Sequence, residues 1–185
     1  MEKEFFMLNQ NESLIVVIDV QGNLAKVVAD SEAVNLNVGR LVQGGLALGL
    51  PIILTAQAPH KIGHTTEALR QILPDHHEYP RTTFSVWSDE AVRQAIRDTG
   101  RRQVLLCGFE SHICLYQTTI HLLGAGYDVW MVADAVSSRS LVNKEIALKE
   151  LSAEGVHLTT VEMGLFSILA DANHEQFKAI SRIVR

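Results

Sequence analysis

Residues Gln103–Tyr127 read QVLLCGFESHICLYQTTIHLLGAGY. A short apolar run ends at Cys107 and Gly108, and a stretch of helical character follows from Ser111 to Ala125, stopped by Gly126. A buried strand turning into a helix through a glycine is the repeating unit of an α/β protein. The stretch also holds both cysteines of the chain, Cys107 and Cys114.

The same alternation extends outward on both sides. Leu14–Asp19 (LIVVID) is a continuous apolar run, as expected for a strand covered on both faces. A helix is expected over Ala33–Leu48, a second strand over Pro51–Thr55 and a helix over Asp89–Thr99. Gln103–Cys107 is the third strand, Asp128–Ala133 the fourth and Val156–Thr160 the fifth. A helix fits Asn143–Ala153, and two more fit Glu162–Leu169 and His174–Val184. The segment from Ala56 to Ser88 reads as long and irregular, with three of the 4 prolines. These elements predict a mostly parallel sheet between two helical layers, a Rossmann-like three-layer α/β/α fold. The length of 185 residues suits one domain spanning residues 1–185.

Composition narrows the partners. The formal net charge is -5 and no basic block is present, which argues against nucleic acid. LIVVI is too short to cross a membrane, and the N-terminal residues lack the apolar core of a secretory signal. Free thiols and a cytoplasmic setting are therefore expected.

In parallel sheets, ligands bind beyond the carboxyl ends of the strands. That rule selects Asp19, Gln57, Cys107, Cys114 and Asp134 as residues gathered on one rim. Cys107, within a strand, reads as core packing. Ser111 is a candidate N-cap, which places Cys114 in the first helical turn. There the helix dipole and free amides favour a thiolate, so a lowered thiol pKa is expected. Asp19 is placed to take the thiol proton, though a carboxylate at a strand end also serves as a cap or loop acceptor.

At this point the chain resembles the isochorismatase-like cysteine hydrolases, and most of all the isochorismatase-domain-containing hydrolases. The matching blocks are LIVVIDVQGNL (Leu14–Leu24), RTTFSVW (Arg81–Trp87), Cys107–Ser140 and TTVEMGLFSILADANHEQFK (Thr159–Lys178). The resemblance implies a catalytic Asp, Lys and Cys, with Asp19 as base and Cys114 as nucleophile. It implies a cis peptide between Phe109 and Glu110, and oxyanion donors in the backbone N–H groups of Glu110 and Cys114. It implies hydrolysis of an amide-type bond in a small molecule without a cofactor, by a homo-oligomer of two or more subunits. The apolar C-terminal helix and exposed aromatics are expected to make the subunit contacts.

One position departs from the pattern. Where the family carries lysine in K-x-x-F-S, this chain has Arg81. A guanidinium does not give up its proton, so Arg81 can act only by charge and geometry. A close Asp19–Arg81 pair is expected to depress the Asp19 pKa. Lys26 or Lys61 could stand in for the lysine, or the site could have become a ligand-binding or scaffold surface.

The nicotinamidase-type metal motif is absent: Gln57 stands for its aspartate and Pro59 for its first histidine. His60 and His64 lack a third ligand, and His76-His77 reads as exposed loop, so no metal is expected. Gln57 is a candidate substrate contact, with Phe84, Trp87 and Ser111. The Glu110 side chain reads as solvated, His112 as pointing away from the thiol, and Asp134 as a loop organiser.

Overall fold

A computed structural model of the chain describes residues 7–185. The elements run β1 (Ser13–Ile18), α1 (Leu24–Val27), α2 (Ser31–Ala47), β2 (Ile52–Gln57), α3 (Pro59–Ile62), α4 (Glu67–Ile72) and β3 (Glu78–Arg81). They continue with α5 (Glu90–Asp98), β4 (Gln103–Phe109), α6 (Tyr116–Gly124), β5 (Asp128–Ser137), α7 (Leu141–Ala153), β6 (His157–Thr159), α8 (Val161–Leu169) and α9 (Phe177–Ile183). The six strands lie in the order β3-β2-β1-β4-β5-β6, and every pairing is parallel.

Period-two alternation along the central strands builds the layers. Ile15 and Val17 of β1 pack with Val38, Leu41 and Val42 of α2 and with Leu165 of α8. Leu14, Val16 and Ile18 face the other way, onto Val92 and Ile96 of α5 and Leu122 of α6. All five of these apolar β1 residues are fully buried, as the unbroken apolar run predicts for a sheet covered on both sides. The result is a three-layer α/β/α fold.

Two corrections concern the segment read as irregular. It contains the edge strand β3, of sequence EYPR, which pairs only with β2. Pro80 disguises it, because proline cannot donate to a ladder and is tolerated at a sheet edge. It also contains α3 and α4, too short to register as a period. Elsewhere β5 runs on to Ser137, so Asp134 lies in a strand rather than a loop. Its Oδ1 accepts from Val161 N (2.9 Å) and so fixes the start of α8.

Strand order reverses between β1 and β4, and this switch point fixes where a ligand cleft can form. Ile18 pairs with Gly108 there. Gly108 has φ +112, and a Cβ at this position would lie 1.9 Å from the Ile18 carbonyl oxygen. Glycine is therefore required for the two strand ends to meet.

The C-terminal helix does not offer the free apolar face expected of it. Ile180 is buried, and Phe177 and Ile183 pack on the core beneath α2 and α8. The exposed apolar side chains of α7 are Leu141 (47%), Val142 (60%) and Ile146 (55%). No helix among the described residues is long and apolar enough to cross a membrane.

Candidate active site

Asp19 follows β1 directly, with a left-handed φ of 55 that aspartate tolerates better than most residues. Its Oδ2 accepts from Arg81 Nη2 at 2.6 Å, and both side chains are buried. Arg81 ends the edge strand β3 and reaches inward past β2; its Nη1 donates to the Thr83 carbonyl. Asp19 Oδ1 has no hydrogen-bond partner of good geometry among the described residues.

Cys114 stands beside this pair. Its thiol donates to Gln57 Oε1 at 3.6 Å, and Gln57 Nε2 donates to the Thr82 carbonyl at 3.4 Å. A carbonyl can only accept, so the Thr82 contact fixes which end of the amide faces the thiol. Gln57 is held in turn by paired bonds to the Gln21 side chain.

The electrostatics overturn two sequence expectations. Burial raises the Asp19 carboxyl above its ordinary range; the Arg81 charge opposes it without reversing it. The expected depression by arginine loses to desolvation. Burial, and then the Asp19 charge, push the Cys114 thiol up to about 12, with Arg81 opposing. The expected lowering at a helix start loses for the same reason. The chain also enters α6 through a π-helical turn, Ser111–Leu115, rather than a capped α-turn. Cys107 is fully buried with a strongly raised pKa and packs in the core, as its strand position suggested.

Ser111 is not the cap. Glu110 holds that position without a side-chain capping bond, and the Ser111 hydroxyl is buried and has no hydrogen-bond partner among the described residues. The peptide between Phe109 and Glu110 is cis. The Glu110 side chain is not solvated but 8% exposed. Its carboxylate accepts from Arg139 Nε (3.2 and 3.1 Å) and from the Arg139 backbone N–H (2.8 Å). His112 turns away from the thiol, with Nδ1 at 2.9 Å from Ser138 Oγ and Nε2 by Asn143.

A cleft of about 590 Å³ opens over the thiol. Asp19, Gln57, Glu110 and Cys114 form its polar floor; Leu24, Val27, Ile62, Phe84 and Ile113 supply apolar wall; Asn23, Lys61 and Arg139 complete the lining. Of the anticipated substrate contacts, Gln57 and Phe84 line it, and Trp87 and Ser111 do not. Trp87 instead packs edge-on against Tyr127 (5.2 Å), with the Arg97 guanidinium over its ring. Lys26 lines a separate groove between α1, α2 and α4. No group of three or more metal-ligating side chains is present among the described residues.

Sequence reasoning missed α1, Ile113 and Arg139 as parts of the cleft. The Gly22 contact is what brings Ile62 and Lys61 there. Gly22 N donates to the His64 carbonyl at 3.1 Å, and a Cβ on Gly22 would lie 2.0 Å from the Ile62 carbonyl oxygen. No local periodicity signals such a loop-to-loop approach.

Comparison with known proteins bears on the family and the fold. The Isochorismatase domain family matches residues 13–163. Isochorismatase domain-containing protein 2 of Xenopus laevis is 33% identical over 177 residues, covering 96% of this chain and 85% of that protein. The MAR1 ribonuclease of Caenorhabditis elegans superposes with TM-score 0.90 at 29% identity, over 97% of this chain and 92% of that one. The Escherichia coli YcaC gene product, an octameric hydrolase of unknown specificity, superposes with TM-score 0.93 at 22% identity, over 98% and 91%. The chain belongs to the isochorismatase family, as a hydrolase-type member with a three-layer α/β fold.

Proposed function

We propose that the protein hydrolyses an amide-type C–N bond of a small molecule, with Cys114 as nucleophile and Asp19 as base. The observation that carries this reading is the buried Cys114 thiol in the same cleft as the Asp19 carboxylate and within reach of its charge, with one carboxylate oxygen held by Arg81 and the other without a hydrogen-bond partner among the described residues. Releasing the thiol proton to water would leave two buried negative charges against one guanidinium, which is why the thiol is so weak an acid. Moving that proton from Sγ to Asp19 Oδ1 leaves the net charge of the site unchanged. The internal transfer therefore escapes most of the desolvation cost, and Arg81 serves by charge without exchanging a proton.

In the forward step, Asp19 Oδ1 takes the proton as Sγ bonds to the carbonyl carbon. The oxyanion is received by the N–H groups of Glu110 and Cys114. Collapse breaks the C–N bond, and the leaving amine takes the proton from Asp19. Water then gives a proton to Asp19 and its oxygen to the thioester carbon, releasing the acid and restoring the thiol. Gln57 and Phe84 contact the substrate, and no step calls on a cofactor.

The test is a panel of small amides assayed for ammonia release that depends on Cys114, with hydroxylamine added to intercept the acyl-enzyme as a hydroxamate. Hydroxamate formed at the expense of the acid supports the thioester; ammonia release that survives loss of the thiol sinks it. The ribonuclease name of the Caenorhabditis elegans relative suggests a different substrate. A net charge of -5 and a cleft with one lysine that has no ion-pair partner among the described residues offer no track for a phosphate backbone, which favours the amide reading. We also infer self-association through the apolar face of α7, open to check by sedimentation velocity: a monomer at micromolar concentration would exclude it.

A further inference from the structure

The ions of the cleft do not cancel. Asp19 is paired with Arg81, and Glu110 with Arg139. Lys61 lines the same cleft and has no ion-pair partner among the described residues. No carboxylate is left over to balance it, so the cleft carries one surplus positive charge. The Arg139 guanidinium engages Glu110 through Nε alone, and its two Nη groups make no hydrogen bond among the described residues. Asn23 adds an amide at the same lining.

The segments that carry these donors are held in place. The turn carrying Lys61 is tied down by Ala58 N to the Arg81 carbonyl (2.7 Å) and by Gln21 Nε2 to the Gly63 carbonyl (2.5 Å). Arg139 is held through both its side chain and its backbone N–H. Unpaired donors of positive charge over apolar walls favour a ligand that brings an anionic group and a short apolar segment. One surplus charge and the free edge of a planar guanidinium fit a carboxylate.

We infer that the cleft takes an amide whose far end bears a carboxylate, with Lys61 and the Nη groups of Arg139 as the residues that select it. The inference rests on the hydrolase reading only in calling that ligand a substrate; the selection itself needs no thiol.

The test therefore uses the Cys114→Ala protein, in which no turnover occurs on the proposed mechanism. Glutaramate and glutaramide share one skeleton and one amide, and differ in a carboxylate against a second amide. Titration of each, followed by NMR shifts, is expected to show glutaramate binding about tenfold more tightly. The preference should shrink as salt rises. In the background of Lys61→Gln, an exposed position whose change should leave the melting temperature unmoved, the preference should fall to about threefold or less with glutaramide affinity unaltered. Equal affinities, no detectable glutaramate binding at millimolar concentration, or a preference that Lys61→Gln leaves intact would each overturn the inference. A glutaramate preference without Cys114-dependent turnover of any amide would retain the binding site and remove the hydrolase.

Discussion

Cys114→Ala is expected to reduce ammonia release from any amide the protein turns over by about 10⁴-fold or more, with the fold retained. The thiol is the atom that bonds to carbon, so nothing nearby replaces it: the other cysteine lies within the sheet core, and His112 is committed to Ser138 and Asn143. The structural cost is small by comparison. Cys114 is 4% exposed and packs with Leu115 and Val86, so removing one sulfur costs roughly 1 kcal/mol. Steady-state ammonia release, read alongside the thermal melt, separates the two effects. A loss of turnover of only tenfold would mean that the thiol positions substrate and does not attack it.

Arg81→Met is expected to destabilise the fold by about 3–5 kcal/mol at pH 7. Arg81 and Asp19 bury each other, and removing the guanidinium leaves a carboxylate with neither water nor counter-charge. The Asp19 carboxyl, already raised by burial, then rises further. A carboxyl that is harder to ionise folded than unfolded weakens the fold above its unfolded pKa, and the penalty fades as pH falls towards that value. The deficit against wild type should therefore be largest at neutral pH and shrink by about pH 4, as read from urea midpoints at the two pH values. Arg81→Lys keeps one charge beside Asp19 and should lose far less. A pH-independent deficit in Arg81→Met would place its cause in packing.

Much of the fold and half of the candidate site were legible because they are written in local pattern. LIVVI at Leu14–Ile18 is the β-branched run expected of a strand covered on both faces, and glycines at 100, 126 and 155 close the helices preceding three of the strands. Asp19 and Cys114 follow from the rule that ligands gather at strand ends where the sheet order reverses. What escaped is non-local. β3 is four residues long, includes a proline and exists because β2 offers it an edge. Arg139 enters the cleft because a buried Glu110 holds it, and Ser111 leaves because the chain turns through a π-helical segment. The signs of the Asp19 and Cys114 shifts could not be read from neighbours along the chain. They depend on how much water the closed layers exclude, which outweighs both the helix start and the arginine.

The most direct measurement is the rate at which iodoacetamide alkylates Cys114 as a function of pH, followed by peptide mass spectrometry with Cys107 as the buried reference. If Asp19 holds the thiol proton in the reactive form, that form is an internal tautomer whose population does not change with pH while the pair carries one proton. The account predicts a Cys114 rate that is flat from about pH 7 to 9, falls at acid pH as the pair takes up a second proton, and climbs only towards the high pKa of the thiol. Cys107 should stay unlabelled throughout. A rate that climbs about tenfold per pH unit to a midpoint near 8.5 would show an ordinary free thiol, and a Cys114 as inert as Cys107 would show no nucleophile; either result contradicts the account.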